Sequence, residues 1–566
     1  MVAVAALAAS ACGSSDDAAS PTNSESPVEP AISADSTDPS ATTLATAGEP
    51  VRGGRLVVGL EGETQDAWVP SAVQCAVSCG TVLRSVLEPL AVRNADGEIE
   101  PYLAESIEPT DDFTTWTITT RTGLTFHDGT PFDADAVVDN LLRQSASPTG
   151  GLRLLDVEKI DDVPAIVAVD DTTVEVTMSR PWSDFDAQLT TIIGIIGSPT
   201  WLAAADADPS VGAQPVGTGP FVFDSYTPGE SYVGTRNEDY WRDGTDGEPL
   251  PYLDEVEFRP IDDGLARANA LRAGDIDIAM VDDGETILDF RDDDSVSSLE
   301  QTAGGETFYL LLHSGQEDSP LNNRDVRCAL VAATDTAQIS DVVAFGALEV
   351  ANGPFSPGQP GHLDDNGNAG YEPDVAAQLV ADYEAENGPL SLTYTIANDS
   401  SARTQAQLVQ QTWQDAGIDV EIREVDIGTM INDAIFGADE FEVISFRFHG
   451  GYALDEQYIA WHSSVAAPAG SPSFNFGRLR DPELDVLLDA NRQTDDPAEK
   501  EQIAQDANRR MAEQCWMVPT QWTTWALASD PDLTGLESDV TPAGSPMLVS
   551  QETPGVIPVA SLWWEA

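Results

Sequence analysis

A chain of 566 residues is too long for a single hydrophobic core, so we expect two or three domains. Its 97 acidic and 26 basic residues give a formal net charge of -71, which argues against nucleic acid or an anionic membrane face as a partner. No run of eighteen apolar residues follows position 12, and the sequence therefore predicts no transmembrane helix. The acids are dispersed along the chain, which favours a role in solubility or salt tolerance over a cleft that steers a cationic ligand.

Residues 1–12 are typical of the end of a bacterial lipoprotein signal peptide. Small apolar residues lead up to Ala11, Cys12 and Gly13, and signal peptidases need small residues just before the cut. Cys12 would then carry the lipid that anchors the mature protein. The alternative is an Ala-rich tail, because no basic residue precedes the apolar run and Ala9 stands where such motifs usually carry Leu.

Residues 13–52 are predicted to form a flexible tether. They contain seven acids, one base and almost no large apolar side chain. Such a segment buries too little apolar surface to offset the entropy of ordering it. A tether between a lipid anchor and a folded body suits a surface receptor.

The body that follows reads as a mixed α/β chain. In chain order, the pattern predicts strands at 53–60, 116–121 and 174–178, a turn that enters a strand at 215–223, and a strand at 232–236. Helices are predicted at 134–144, with Asp133 as the N-cap, and at 400–416, 483–491 and 497–513. No internal repeat is visible, which argues against solenoids and propellers.

Four cysteines outside the leader raise the possibility of disulfides. Cys75 and Cys79 are four residues apart, a spacing that a helix brings within disulfide range. Cys328 and Cys515 are far apart in sequence, and a bridge between them would close a long loop. Three pairings are possible in an oxidising compartment, and four buried thiols are the alternative.

Catalytic and metal-binding motifs are missing from the sequence. It contains no GxSxG elbow, no GxxxxGK phosphate loop, no HExxH helix and no CxxC pair, and its five histidines are scattered. Carboxylate pairs carry little information in a chain with 97 acids. We therefore predict no catalytic residues, no metal and no cofactor.

An ordered series of segments resembles the family 5 extracellular solute-binding proteins, the peptide- and nickel-binding receptors of ABC importers. The central segment is Trp116 to Val138, with Thr-Gly-Leu-Thr-Phe-His-Asp-Gly-Thr-Pro-Phe-Asp. Others that fit the family order are 86–90, 101–106, 217–221, 236–241, 253–258, 270–277 and 321–330. The resemblance spans roughly residues 53 to 530.

The resemblance implies a periplasmic-binding-protein-like α/β fold, with two lobes around a cleft and an extra inserted domain. Carried onto this chain, domain I comprises 53–86, 213–304 and 525–566, domain II comprises 87–212, and domain III comprises 305–524. A ligand would be buried where the lobes meet, and hinge closure would give the importer a recognisable state.

The resemblance also implies where a ligand is contacted: the loop after the first strand, domain II loops and an aromatic-rich segment of domain III. The residues at these places are Trp68, Arg153, Phe446, Arg447, Phe448, His449, Tyr452 and Asp455. Arg447 would clamp a ligand carboxylate and Asp455 would receive a ligand amine. The alternative is that Phe446 and Phe448 are core residues and that Arg447 lies at an exposed edge.

These observations favour an extracytoplasmic solute-binding protein, anchored on the outer face of the bacterial cytoplasmic membrane. We expect a monomer that passes a small ligand, above all an oligopeptide, to ABC permease subunits and their cytoplasmic ATPases. Nickel chelates, oligosaccharides and opines are alternative ligands. A secreted hydrolase with a carboxylate pair, and a solute sensor without an importer, are alternative functions.

Overall fold

The computed structural model describes residues 49–62, 68–73, 77–148, 150–301, 306–316, 318–437, 441–449, 451–468, 470–550 and 555–565, with backbone only at 427–428 and 448–449. The signal remnant with Cys12, nearly all of the tether and Cys75 lie outside these residues. The names domain I, II and III are kept below for the ranges given above, and those boundaries remain a prediction.

The described strands are, in chain order, β1 (Arg55–Leu60), β2 (Glu88–Pro89), β3 (Ala91–Arg93), β4 (Ile99–Pro101), β5 (Ala104–Pro109), β6 (Thr115–Thr120), β7 (Lys159–Ile160), β8 (Val163–Pro164), β9 (Ile166–Asp170), β10 (Thr173–Thr177), β11 (Ile195–Ile196), β12 (Phe221–Thr227), β13 (Ser231–Arg236), β14 (Glu255–Pro260), β15 (Ile278–Val281), β16 (Ser297–Gln301), β17 (Glu306–Leu312), β18 (Ser391–Ala397), β19 (Asp419–Val425), β20 (Val443–His449), β21 (Met517–Trp522), β22 (Trp525–Ser529), β23 (Leu533–Thr534) and β24 (Trp563–Trp564).

The described α-helices are α1 (Val77–Val86), α2 (Ala134–Ala146), α3 (Gly150–Arg153), α4 (Phe185–Gln188), α5 (Pro199–Ala207), α6 (Gly264–Ala273), α7 (Gly284–Arg291), α8 (Arg324–Ala333), α9 (Thr336–Val343), α10 (Pro373–Asn387), α11 (Ser400–Asp415), α12 (Ile427–Phe436), α13 (Leu454–Trp461), α14 (Pro482–Asn491) and α15 (Pro497–Glu513). Short 3₁₀ helices occupy Pro209–Ala213, Pro320–Asn322 and Val559–Ser561.

Domain I contains a seven-stranded sheet in the order β12-β13-β14-β1-β15-β22-β16. Strand β1 runs parallel to both β14 and β15. Alternate residues of β1 enter two cores: Leu56 and Val58 pack on one face, and Val57 packs on the face covered by Ile287 of α7. Because β1 and β15 are parallel neighbours, the residues that follow them emerge at the same edge of the sheet.

Domain II is built on a four-stranded antiparallel sheet in the order β5-β6-β10-β9. Helix α2 packs on it through Val137 and Leu141, which belong to the same core as Trp116 of β6. The Asp133 carboxylate accepts a hydrogen bond of 3.0 Å from the Ala136 amide, so Asp133 is the predicted N-cap. This packing fixes the positions of the loops that face domain III.

Domain III is built on a five-stranded mixed sheet in the order β19-β18-β20-β17-β21. Alternation along β17 supplies two cores: Leu310 and Leu312 face helices α8 and α11, whereas Tyr309 and Leu311 face helices α13 to α15. The second of these faces turns toward domain II. A disulfide joins Cys328 of α8 to Cys515, which follows α15, with a Cα separation of 5.1 Å.

The elements predicted from the sequence agree with this architecture. Helices predicted at 400–416, 483–491 and 497–513 appear as α11, α14 and α15, with ends within one residue. The predicted strands appear as β1, β6, β10, β12 and β13, and the α/β class is confirmed. Within the described residues, no helix is both long enough and apolar enough to cross a membrane.

Candidate functional site

Three half-buried phenylalanines form an aromatic wall on the face of domain III that turns toward domain II. The wall consists of Phe446, Phe474 and Phe476, with ring centroids 5.2 Å apart for Phe446 and Phe476, and 6.0 Å apart for Phe474 and Phe476. From domain II, the Arg153 guanidinium lies 5.4 Å from the Phe474 ring centroid, and Leu152 packs against the same core. Arg153 and Phe446, two of the predicted ligand residues, are thus linked through Phe474 and Phe476.

A small apolar cavity of about 30 Å³ lies behind the aromatic wall. Tyr309, Trp461, Met511 and Trp516 are among the side chains that line it, together with two members of the wall, Phe474 and Phe476. Aromatic rings with one accessible face offer a large apolar contact surface to a ligand. The cavity has room for only one or two water molecules, so a ligand group could pack on these rings only where the interface opens.

Arg447 occupies the opposite face of the sheet from Phe446, as expected for neighbouring residues of a strand. Its guanidinium lies 2.5 Å from the Asp282 carboxylate and 3.7 Å from those of Glu61 and Glu306. Glu61 follows β1 and Asp282 follows β15, so the parallel strands of domain I deliver two acids to one edge. We call Glu61, Asp282, Glu306 and Arg447 the hinge cluster, because it joins domain I to domain III.

The charged groups of the hinge cluster shift one another's pKa values. Burial alone would lower the pKa of Arg447, but Glu306, Asp282 and Glu61 outweigh it and hold the pKa above its ordinary value. Burial raises the pKa of Glu61, and Arg447 offsets part of that rise. Three acids already neutralise this arginine, so a ligand carboxylate would meet an excess of negative charge here. The clamp role of Arg447 stays a prediction, and its surroundings argue against it.

Asp455, predicted to receive a ligand amine, is 2% exposed and lies at the start of α13. One carboxylate oxygen accepts a hydrogen bond of 2.5 Å from Arg492 Nε. The other accepts bonds of 3.0 Å from Trp182 Nε1 and 3.5 Å from Gln188 Nε2, both of domain II. The carboxylate is therefore surrounded by donors from the protein itself.

Arg492 links Asp455 to domain II. Its Nη1 lies 2.5 Å from the Asp156 carboxylate, and its guanidinium lies 3.6 Å from the Tyr458 ring centroid and 4.2 Å from that of Trp182. We call Asp156, Trp182, Asp455, Tyr458 and Arg492 the interdomain clasp. Two acids from different domains share one cation that is stacked between two aromatic rings, an arrangement suited to the planar guanidinium.

Further ion pairs cross the same interface around the clasp. Arg180 of domain II bonds Asp489 of domain III at 2.7 Å, and Lys500 of domain III pairs with Asp184 of domain II. Burial raises the pKa of Asp184 to about 6, with Asp455 adding to the rise and Lys500 opposing it. Burial, then the charge of Asp184, raises the pKa of Asp186 to about 7.

Tyr452, one of the predicted ligand residues, also lies at the interface. Its ring is 4.9 Å from the Arg93 guanidinium of domain II, and Arg93 bonds Glu456 at 2.7 Å. Gly97 packs so closely on this ring that a Cβ there would lie 2.3 Å from the Tyr452 hydroxyl. The tyrosine therefore contacts domain II directly in this structure.

Two groups of predicted residues lie elsewhere or outside the described atoms. Trp68 is 2% exposed and packs edge-on against Tyr226 and Tyr232 in the core of domain I. The structure places it in a hydrophobic core, and its ligand role stays a prediction. Phe448 and His449 belong to β20, opposite Thr307 and Glu306, but their side chains lie outside the described part.

Sequence reasoning missed Arg492, Asp156 and Trp182, which no local motif marks. One signal was available: basic residues are scarce, 26 in the whole chain. Five of them meet at this one interface: Arg93, Arg153, Arg180, Arg492 and Lys500. Basic residues are thus far more frequent at this interface than in the rest of the chain. In the described residues, no group of three or more His, Cys, Asp or Glu is arranged to hold a metal ion.

Sequence comparison gives the family of this chain. The profile described as "Bacterial extracellular solute-binding proteins, family 5 Middle" matches residues 98–468. The chain belongs to this family. It is therefore a solute-binding receptor of an ABC importer that works outside the cytoplasm, and members of the family bind substrates without converting them.

Individual relatives and solved structures agree with this assignment. The chain is 27% identical over 437 residues to the glutathione-binding protein GsiB of Pectobacterium atrosepticum, covering 76% of this chain and 82% of the relative. The structure is similar to AgaA from A. tumefaciens R10 in complex with agropinic acid, with a TM-score of 0.77, 25% identity, and coverage of 91% and 99%. It also resembles DppA from Helicobacter pylori with the peptide STSA, with a TM-score of 0.75, 22% identity, and coverage of 91% and 99%.

Proposed function

We propose that the chain is a lipid-anchored receptor that binds a short peptide or peptide-like solute between domain II and domain III and delivers it to the permease of an ABC importer. The aromatic wall is the observation that carries the proposal. Its three rings are half-buried and lie at an interface that Arg153 joins from the other domain. Opening of this interface would expose rings, and closing it would enclose a ligand.

The ligand class is supported by chemistry and by similarity together. A peptide offers planar amides and apolar side chains, both of which pack well on aromatic rings. The relative at 27% identity is named for binding glutathione, which is itself a tripeptide. AgaA, in complex with agropinic acid, makes an opine the main competing class.

Membrane attachment is supported by the first residues of the sequence. Ala11-Cys12-Gly13 ends an apolar run, and a diacylglyceryl group on Cys12 would supply two acyl chains, enough for stable anchoring. The acidic segment 13–52 would give the receptor reach from the bilayer. Labelling of the expressed chain with a radioactive fatty acid, and loss of the label in Cys12→Ser, tests this part.

Thermal unfolding of the Cys12→Ser chain with candidate ligands tests the function. Glutathione, di- to pentapeptides, agropinic acid and nickel–histidine are the probes. A ligand at 100 times its Kd stabilises the folded state by about 2.7 kcal/mol, which shifts the Tm measurably. A shift with peptides, with no consumption of the peptide, supports the proposal. A shift with agropinic acid or nickel–histidine alone overturns the peptide class, and conversion of a probe to product overturns the receptor function.

A substitution in the aromatic wall then places the ligand. In Phe446→Ala we expect peptide affinity to fall by about tenfold or more, because a stacking surface is lost. Val486→Ala removes an apolar side chain that is 66% exposed on α14 and serves as the matched control. Unchanged affinity in Phe446→Ala would show that the ligand binds elsewhere.

A further inference from the structure

Asp455 is buried, and hydrogen-bond donors of the protein, one of them a cation, already contact its carboxylate. It is 2% exposed, and three donors contact it: Arg492 Nε, Trp182 Nε1 and Gln188 Nε2. A carboxylate has about four lone-pair sites. Little of its hydrogen-bonding capacity is left for an ammonium group from outside.

Arg492 is held in a manner that resists displacement. The residue is 3% exposed and bonds two carboxylates, Asp455 at 2.5 Å and Asp156 at 2.5 Å. Its guanidinium is stacked between the rings of Tyr458 and Trp182. Its backbone carbonyl also accepts a hydrogen bond of 2.9 Å from the Ser183 amide of domain II.

A ligand ammonium group at Asp455 would therefore face a resident cation. If Arg492 stayed in place, two positive charges would lie within a few ångströms of each other in a buried site, which is strongly unfavourable. If Arg492 moved away, Asp156 would lose one of its two arginine partners, and the guanidinium would lose both aromatic faces. Either route penalises ligands that depend on an amine at this position.

We propose that Arg492 determines specificity by serving as the built-in counter-ion of Asp455, so that this receptor does not select its ligand through an ammonium group at that carboxylate. The proposal deepens the proposed function and rests on it for the identity of the site. Free and N-acetylated forms of one peptide are then expected to bind with similar affinity. Replacing Arg492 with a small neutral residue is expected to create an amine site at Asp455.

Titration calorimetry with the tripeptide Ala-Phe-Ala and its N-acetylated form tests the specificity. In the Cys12→Ser chain we expect the two dissociation constants to agree within about twofold. In the same chain with Arg492→Ala, the free-amine form is expected to bind about tenfold more tightly than the acetylated form, since a charged hydrogen bond becomes available. A tenfold preference for the free amine before Arg492 is changed would overturn the proposal.

A second measurement needs no peptide and separates this inference from the proposed function. Methylguanidinium at millimolar concentration should raise the Tm of Arg492→Ala, because it refills the site between Asp455 and Asp156. It should leave Arg509→Ala unchanged, a matched control whose side chain is 45% exposed beside Asp506. Rescue of Arg492→Ala without binding of any probe supports the counter-ion role and contradicts the proposed peptide ligand.

The absence of rescue in Arg492→Ala, with a native Tm in the Arg509→Ala control, contradicts the counter-ion role whatever the peptides do. If Arg492→Ala does not fold, Arg492→Lys keeps the charge but cannot reach both carboxylates in the same plane. The lysine variant is then expected to fold and to keep similar affinities for the two peptide forms. A free-amine preference of tenfold in that variant would overturn the proposal.

Discussion

The hinge cluster and the interdomain clasp each place one arginine among carboxylates from two domains, but they differ in exposure and in charge balance. Arg447 meets three acids, and its side chain is 19% exposed. Arg492 meets two acids, is 3% exposed and has an aromatic ring on each side. Water screens part of the surplus negative charge in the hinge cluster, because Glu61 and Asp282 are partly exposed. The clasp has to balance its charges internally.

This difference suggests separate roles for the two arginines. The hinge cluster joins domain III to the strand ends of domain I, so it lies where the chain passes between the lobes. The clasp joins domain III to domain II, across the interface at which we propose that the ligand binds. Loss of the clasp should therefore affect closure and stability together, and loss of the hinge cluster should affect stability in a pH-dependent way.

The largest effect is expected for Arg492→Ala. Removing the cation leaves Asp455 without a charged partner and Asp156 with Arg180 alone, and breaking a buried pair in this way typically costs about 3–5 kcal/mol. A thermal unfolding scan at pH 7.5 should show a clearly lower Tm than for the unchanged chain. A Tm within error of the parent would mean that the clasp is not a balanced buried network. The proposed difference in charge balance between the clasp and the hinge cluster would then be wrong.

A smaller loss is expected for Arg447→Ala, about 1–3 kcal/mol, because two of the three acids it leaves behind, Glu61 and Asp282, are partly exposed and screened by solvent. Burial already raises the pKa of Glu61, so protonation of this group can relieve the repulsion at lower pH. The Tm deficit should therefore be larger at pH 8 than at pH 5. A deficit that is equal at both pH values, or larger at pH 5, would contradict this description of the cluster.

Trp182→Phe tests how much one hydrogen bond contributes to the clasp. Phenylalanine keeps an aromatic ring near Arg492 but removes the indole N–H that donates to Asp455 at 3.0 Å. We expect a loss of about 1–2 kcal/mol, the cost of leaving part of a buried acceptor unsatisfied. Chemical denaturation with urea measures it, and a change below 0.5 kcal/mol would show that this hydrogen bond contributes little.

An effect of the opposite sign is expected for Asp186→Asn. Burial raises the pKa of Asp186 to about 7, above its usual value near 3.9 in an unfolded chain. A raised pKa contributes stability that is present at pH 4 and is lost as the pH rises through 7. Asp186→Asn should therefore match the parent near pH 4 and exceed it at pH 8 by about 1–2 kcal/mol, an amount reduced by partial exposure of the side chain.

The control for that pH series is Asp111→Asn, because this residue is exposed in the turn between β5 and β6. We expect its Tm to differ from that of the parent by a similar small amount at every pH. If Asp186→Asn follows the control, the interface near Asp184 does not hold a buried charge.

Local pattern was enough to predict much of the fold. The α/β class, the capped helix α2 and the long helices of domain III follow from periodicity and capping residues, which act over a few residues. The family resemblance pointed to Arg153, Phe446, Tyr452 and Asp455. Arg153, Tyr452 and Asp455 make contacts between domains II and III, and Phe446 packs on Phe476 within domain III.

The rest depended on contacts between distant residues. Asp156 and Arg492 are 336 residues apart, and Trp182 and Asp455 are 273 apart, so no spacing rule links them. The sequence alone predicts that Asp455 and Arg447 are available to a ligand, because the residues that contact them are distant in the chain. The family resemblance pointed to Trp68 as a ligand residue, and the sequence did not show that it packs in the core of domain I.

Small-angle X-ray scattering tests the central claim. The claim is that the clasp holds domains II and III together across an interface, and that this interface opens to admit a ligand. The radius of gyration should be larger for ligand-free Arg492→Ala than for the Cys12→Ser parent, and Arg509→Ala should match the parent. Peptide at saturating concentration should return Arg492→Ala to the parent value, because ligand binding closes the interface. Identical scattering from all three ligand-free proteins, with a folded Arg492→Ala, would contradict the account.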